Sequence, residues 1–205
     1  MTEHYFSAEP RAKRQPRQFS VNLRGRLYRF WSDAGVFSRD KIDTGTALLI
    51  EILPCGPGDY VLDLGCGYGP LGIVAADLVA PQGHVYLVDI NRRAVDLTAK
   101  NLKDNGVSNA TALVSDGLQN PALFGLRFHW VLFNPPIRAG KKVIQGLLNQ
   151  AHQALRPRGC LLMVIRTKQG AKSWQKYLTA LAGNCTTLQK KAGFRILQSC
   201  KEQRT

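Results

Sequence analysis

Asn134-Pro135-Pro136-Ile137 closes the apolar run Val131-Leu132-Phe133. Two successive prolines cannot donate to a sheet ladder, and each restricts the backbone of the residue before it, so the chain leaves this run stiff and extended. An asparagine held there is a positioned carboxamide, suited to gripping a planar amino group. Upstream, Val61-Leu62-Asp63-Leu64-Gly65-Cys66-Gly67-Tyr68-Gly69-Pro70-Leu71-Gly72 breaks from an apolar run into a glycine-rich loop and enters an apolar helical pattern. Strand, tight loop and helix start follow in order. Glycine lets backbone approach a ligand closely, and amides exposed at a helix start favour an anionic group, so a nucleotide-like cofactor is implied. By itself Asn-Pro is equally an ordinary strand-ending turn. The glycine loop beside it favours the catalytic reading.

Acids recur where apolar runs end: Asp63, Asp89 and Asp116. In an open α/β sheet, ligands bind beyond the carboxyl ends of the strands. There Asp63 would receive an α-ammonium group, Asp89 with Ile90 both ribose hydroxyls, and Asp116 with Gly117 an adenine amine. Gly65, Cys66, Gly67, Tyr68 and Gly69 would wall the cofactor, with Asn134 at its reactive end. This set suits S-adenosylmethionine. The rival is a nicotinamide dinucleotide, since Gly67-Tyr68-Gly69-Pro70-Leu71-Gly72 satisfies GxGxxG and Asp89 follows at about 20 residues. Against the rival, Asp63 would face a pyrophosphate of its own sign. Cys66 is a conceivable nucleophile, or a small residue beneath the cofactor.

The chemistry implied is methyl transfer to a planar nitrogen, with Asn134, Pro135, Pro136 and Ile137 as the catalytic loop. A nitrogen conjugated to a ring is a poor nucleophile. If Asn134 Oδ1 and the Pro135 carbonyl accept its hydrogens, its lone pair turns toward the methyl donor, and those bonds strengthen as positive charge develops. Alignment of the reactants can remove about 7 to 11 kcal/mol of barrier. A paired base cannot reach such a pocket, so the acceptor must be unpaired or flipped.

These residues need a parallel sheet to hold them. Apolar runs at 60–64, 84–89, 111–115, 128–133 and 160–166 alternate with helical patterns, and their continuous rather than alternating character means burial on both faces. Asn91 caps a helix through about Asn105 with Gly106 as its stop, Val143 to Leu155 mark another before Pro157, and Trp174 to Leu181 a third. A helix also runs from Asp40 to Pro54. Residues 184–189 and 193–200 have only a short link, which predicts an antiparallel hairpin at the sheet edge. Near the N-terminus, 19–23 and 26–31 alternate around Arg24-Gly25 and predict a second hairpin. The division expected is a basic arm and hairpin over 1–38 and an α/β, Rossmann-like domain over 39–205.

The chain of 205 residues carries 28 Lys and Arg against 14 Asp and Glu, a net charge of +14. Residues 1–30 contribute +5, residues 156–205 contribute +10, and the middle contributes −1. Charge gathered at the two ends fits a polyanion, through release of condensed counterions, against the plainer alternative of a generally basic surface. The basic residues do not lie on one amphipathic helix, so nucleic acid is preferred to membrane. No apolar stretch reaches the roughly 18 residues of a membrane span, and the first residues lack the layout of a secretory signal, so a cytoplasmic protein is expected. Five cysteines without a CxxC pair fit reduced thiols better than a disulfide frame or zinc site. No metal is called for, and a monomer or homodimer is expected.

The chain resembles class I methyltransferases, within them the small-domain group that includes bacterial small-subunit ribosomal RNA guanine-N(2) methyltransferases and their single-domain relatives. The resemblance rests on His4-Tyr5-Phe6-Ser7, Gly35-Val36-Phe37-Ser38, Lys41-Ile42-Asp43-Thr44-Gly45-Thr46, the glycine loop, Asn91-Arg92-Arg93-Ala94, Asn134-Pro135-Pro136-Ile137-Arg138-Ala139-Gly140 and Thr167-Lys168-Gln169-Gly170-Ala171. It implies a seven-stranded, mainly parallel sheet with an antiparallel last strand, S-adenosylmethionine as donor, and RNA as partner. Relatives with an aromatic after the two prolines stack it on the target base. Ile137 cannot, so Phe37, Phe194 or Trp31 would replace it unless each is simply core. The guanine-specific relatives carry a second copy of the domain for substrate binding, a task that here would fall to basic residues. Arg11, Lys13, Arg14 and Arg17 on the arm, Arg138, Lys141 and Lys142 after the catalytic loop, and Lys168, Lys172, Lys190, Lys191 and Arg195 near the last strands are those candidates. Other acceptors the same device would serve are adenine N(6) in nucleic acid and a protein glutamine amide, and a catalytically idle ribosome-assembly factor is the remaining alternative.

Overall fold

A computed structural model describes residues 13–38 and 40–203. His4-Tyr5-Phe6-Ser7 and Arg11 lie outside them. Among the described residues, β1 (Arg17–Leu23) and β2 (Arg26–Ser32) form an antiparallel ribbon. A seven-stranded sheet holds β3 (Tyr60–Leu64), β4 (His84–Asp89), β5 (Ala110–Val114), β6 (Phe128–Phe133), β7 (Leu155–Arg166), β8 (Thr186–Lys191) and β9 (Phe194–Cys200) in the order β5-β4-β3-β6-β7-β9-β8. The first five pair in parallel, and β9 runs antiparallel to both neighbours. Strand order reverses at β3, between β4 and β6. That switch point opens the crevice at the carboxyl ends of the strands.

Helices α1 (Thr44–Glu51), α2 (Pro70–Val79) and α3 (Arg92–Asp104) cover one face, and α4 (Lys141–Ala154) and α5 (Ala171–Ala182) the other. Successive side chains of a strand point to opposite faces. Accordingly Val61, Leu132, Leu162 and Val164 join the first core, while Leu62, Val131, Phe133, Leu161 and Met163 join the second. Burial on both sides is why these strands read as unbroken apolar runs.

The ribbon shares the first core through Leu23, Tyr28 and Phe30 and shields α2, whose residues are almost all buried. The fully buried Asn101 of α3 ties the layers together. Its Oδ1 accepts from the Trp31 amide at 2.7 Å, and its Nδ2 donates to the carbonyls of Trp31 at 2.9 Å and of Tyr68 at 2.8 Å. Tyr28 donates its hydroxyl to Asp77, which also pairs with Arg26 at 2.6 Å.

The expected antiparallel β8–β9 hairpin forms at the sheet edge, with β9 between β7 and β8 so that β8 is the outermost strand. Polarity explains that order, because β8 carries Gln189, Lys190 and Lys191 whereas β9 brings Phe194, Ile196 and Leu197 to bury. Two other local expectations need correction. Strand β7 begins at Leu155 rather than 160, where its pairing with β6 shifts register. The cysteines are not all thiols, since Cys160 and Cys200, opposite each other on β7 and β9 with Cα atoms 4.0 Å apart, form a disulfide. Cross-strand register brings together residues that lie 40 apart in sequence. No helix among the described residues is long and apolar enough to cross a membrane.

Candidate active site

Register assembles the site. In the parallel pairing of β3 with β6, Leu64 lies opposite Phe133, so the glycine loop and Asn134 leave the sheet side by side. The amides of Gly65 and Cys66 both donate to the Val88 carbonyl, at 2.8 and 2.9 Å, which folds the loop back over β4. A cavity of about 320 Å³ opens above, walled by Asp63, Gly65, Cys66, Gly67, Asp89, Ile90, Asp116, Gly117 and Asn134. The expected cofactor residues therefore meet in one place.

Gly65 and Gly67 have φ of 70° and 60°, and a Cβ on either would meet nothing within 4 Å. A side chain there would fill the cradle itself, whereas one on Gly72 would strike Leu87 at 2.4 Å. The first two leave room for a ligand, and the last lets α2 pack on β4. One expectation changes here: the Gly72 amide, near the α2 start, donates at 2.8 Å to Asp63 Oδ2 and is not left for an anionic ligand group.

Asp63 is 2% exposed, and burial pushes its carboxyl up to about 7, partly offset by the Gly72 amide. Asp89 accepts from the amides of Gly67 and Asn91, each at 2.9 Å, and desolvation raises it to about 6 despite those bonds. Two carboxylates that pair with no cation among the described residues favour a ligand that brings positive charge or hydroxyl donors. Asp116 is exposed at the rim. Burial, with Asp89 and Asp63 nearby, pushes the Cys66 thiol up, so it is a protonated group against Thr98 and no nucleophile. Tyr68 borders the cavity but packs edge-on against Phe30 and Phe19 at 5.9 and 6.1 Å between ring centres, locking the loop to the ribbon.

Sequence reasoning missed how Asn134 is oriented. Its Nδ2 donates to Asp43 Oδ2 at 3.1 Å and to Thr46 Oγ1 at 2.9 Å. A carboxylate only accepts, so the amide nitrogen must face Asp43 and Oδ1 must face away from it. Asp43 is also the N-cap of α1, accepting from the Thr46 amide at 3.1 Å. The Asp-x-x-Thr cap was readable, and nothing local tied it to residue 134. Gly45 keeps the space open, for a Cβ there would come within 3.0 Å of Asp43 and of Phe194.

A second cavity of about 410 Å³ adjoins the first, and Phe37, Asp43, Asn134 and Pro135 border both. Ile137 and Arg138 line it from the turn after the prolines, Arg166 from the end of β7, and Gln169 from the turn that follows β7. Lys141, Lys142, Lys168 and Lys172 are exposed on the segments that follow these two turns. Arg14 is exposed, Arg17 pairs with Asp40 at 3.2 Å, and Lys191 with Glu51 at 2.9 Å. Arg195 lies on β9 opposite Ile165. Arg166, unforeseen, stacks over Phe194 at 4.7 Å.

The family described as Methyltransferase small domain matches residues 27–198. A Bacillus subtilis (strain 168) protein named only as uncharacterized protein YbxB is 38% identical over 204 residues, 98% of this chain and 100% of that one. Ribosomal RNA small subunit methyltransferase C of Aliivibrio salmonicida is 32% identical over 195 residues, 90% of this chain but 53% of its own length. Among solved structures, the Thermus thermophilus 16S rRNA N2 G1207 methyltransferase in complex with AdoMet and guanosine superposes with a TM-score of 0.81 at 32% identity, over 91% of this chain and 51% of that one. The chain thus spans about half the length of these ribosomal RNA methyltransferases.

Proposed function

Because the chain belongs to the methyltransferase small domain family, we propose that it transfers a methyl group from S-adenosylmethionine to an exocyclic base amine of RNA, guanine N(2) of ribosomal RNA first. The observation that carries this reading is the Asn134 carboxamide, oriented by Asp43 and Thr46 on the wall between two adjoining cavities. The residues fit the donor: a cradle over Gly65 and Gly67, and two desolvated carboxylates awaiting an ammonium and a diol.

When bound, S-adenosylmethionine supplies a methyl already activated on a sulfonium. Asp63 receives the ammonium and Asp89 the ribose hydroxyls. Asn134 Oδ1 and the Pro135 carbonyl accept hydrogens from the target amine, turn its lone pair toward the first cavity, and stabilise the positive charge that grows on nitrogen. Arg138, Lys141, Lys142, Lys168 and Lys172, with Arg14, Arg17 and Arg195, supply the field for the RNA phosphates. Relatives named for ribosomal RNA support that substrate class. The protein works in the cytoplasm as a monomer or homodimer.

The test offers labelled S-adenosylmethionine with unmodified ribosomal RNA, transfer RNA and protein pools, followed by nucleoside mass spectrometry. N(2)-methylguanosine in small-subunit RNA is expected. Asn134→Ala should lower transfer by about 10²- to 10³-fold, the usual loss when one preorganised group at the reacting centre is removed, with donor affinity retained. Label entering protein alone, or an undiminished Asn134→Ala enzyme, overturns the reading.

A further inference from the structure

At the donor cavity the strands stand in the order β5, β4, β3, β6. Neighbouring strands lie about 4.8 Å apart, so the cavity wall steps from Asn134 beyond β6, through Asp63 on β3 and Asp89 on β4, to Ser115, Asp116 and Gly117 beyond β5. A nucleoside held at its ribose by Asp89 carries its base out to the end of β5. That strand is the outermost on its side, and no further strand braces the loop that leaves it.

The brace comes from α4. Within the loop, the Gln119 amide donates to the Asp116 carbonyl at 3.2 Å and the Asn120 amide to Ser115 Oγ at 3.0 Å, while the Ser115 amide reaches back to the Asp89 carbonyl at 2.9 Å. From the opposite side, Gln150 Oε1 accepts from the Leu118 amide at 2.8 Å. Gly117 turns there with φ of 57°, and a Cβ on it would collide with Gln150 Oε1 and come within 3.0 Å of Leu147. Val143, Leu147 and Gln150 stand at i, i+4 and i+7, on one face of the helix. The first two line the donor cavity, and Gln150 borders neither cavity. One rigid element thus supplies two wall residues and the acceptor that fixes the neighbouring loop.

We infer that Gln150 is a positioning residue for the donor, setting the loop from Asp116 to Leu118 so that the Asp116 carboxylate reads the amino group of the donor's purine. A carboxylate accepts only, so a loop held in this place favours a 6-amino over a 6-oxo base. The inference concerns S-adenosylmethionine alone and does not depend on which acceptor is methylated.

The experiment compares Gln150→Met, which keeps the length and loses the acceptor, with Gln150→Glu, which keeps an acceptor at the same reach. Calorimetry measures the affinities of S-adenosylhomocysteine and of S-inosylhomocysteine, whose base carries an oxo group in place of the amine. The parent should prefer the adenine compound by about tenfold or more, the scale of one hydrogen bond to a charged group. Gln150→Met should weaken the adenine compound by about three- to tenfold and the inosine compound less, shrinking the preference to about threefold or below. Gln150→Glu should restore it. On RNA, the donor KM of Gln150→Met should rise by the same factor while kcat falls by less than about twofold. A glutamine that merely supports the fold would lower stability in a urea melt and leave the base preference untouched, which overturns the inference. So does a parent that does not distinguish the two compounds, or a Gln150→Glu chain no better than Gln150→Met. A parent that binds S-adenosylhomocysteine yet methylates no RNA sinks the acceptor reading alone, because both affinities are measured without RNA.

Discussion

Asn134 and Asp43, 91 residues apart in the chain, meet at 3.1 Å, and the carboxylate dictates which end of the amide faces the neighbouring cleft. With Thr46 as second acceptor, both amide hydrogens are engaged and Oδ1 is turned away from them. Asp43→Ala frees the carboxamide to rotate. Transfer should fall by about 10²-fold, the cost of a small misplacement at a reacting centre, with donor affinity kept. Lost capping of α1 should lower stability by about 1 kcal/mol. Thr46→Val should reduce transfer less, and Thr46→Ser should restore it. Steady-state kinetics with a urea melt separates the two effects, and a kcat unmoved by Asp43→Ala refutes the clamp.

Asp63 and Asp89 predict a pH signature. Desolvation raises them to about 7 and about 6, so the folded chain holds protons that the unfolded chain releases near pH 4. Their stability contribution is present in full below about pH 4 and is lost as pH rises through about 7, so the unliganded protein should weaken across that window. Asp63→Asn should flatten the profile. Donor binding has the opposite trend, because an ammonium prefers the ionised carboxylate. Affinity should drop as pH falls below about 7, with proton release visible by calorimetry in buffers of different ionisation enthalpy.

Phosphate contacts should be legible in salt. Lys141 and Lys142 are exposed just beyond the turn that follows Asn134-Pro135-Pro136. Replacing both with alanine should flatten the plot of log affinity against log salt for single-stranded RNA by about 1.4. Arg17, already paired with Asp40, should change it less. A slope unmoved by the double variant removes these lysines from the RNA footprint.

Asn101→Leu keeps volume but strips the Trp31 amide and the carbonyls of Trp31 and Tyr68 of this buried partner. Unfolding free energy in urea should fall by about 3 kcal/mol or more, since each buried polar group left unsatisfied costs about 1 to 3 kcal/mol. Donor affinity should fall with it, because Tyr68 sits within the glycine loop. A loss confined to stability, with donor binding intact, would separate the ribbon from the site.

Much of the machinery was legible because it is local. The strand, glycine loop and helix from Val61 to Gly72, the Asn91 cap, the Arg24-Gly25 turn and the stiff exit at Asn134-Pro135-Pro136 each follow from residues a few positions apart, whose backbone preferences do not depend on distant partners. Continuous apolar runs likewise announced a sheet buried on both faces.

By itself the sequence determined which segments are strands, where acids and glycines fall at their ends, and that an asparagine stands rigid beyond β6. Only the tertiary structure decided that β9 slips inside β8, that Cys160 faces Cys200, that the Tyr68 ring packs under the ribbon, that Asp63 takes the Gly72 amide, and that Asp43 aims Asn134. Those outcomes join residues far apart along the chain. They are set by which faces can be buried together and which polar groups would otherwise go unpaired, quantities that exist only once the sheet order has been chosen.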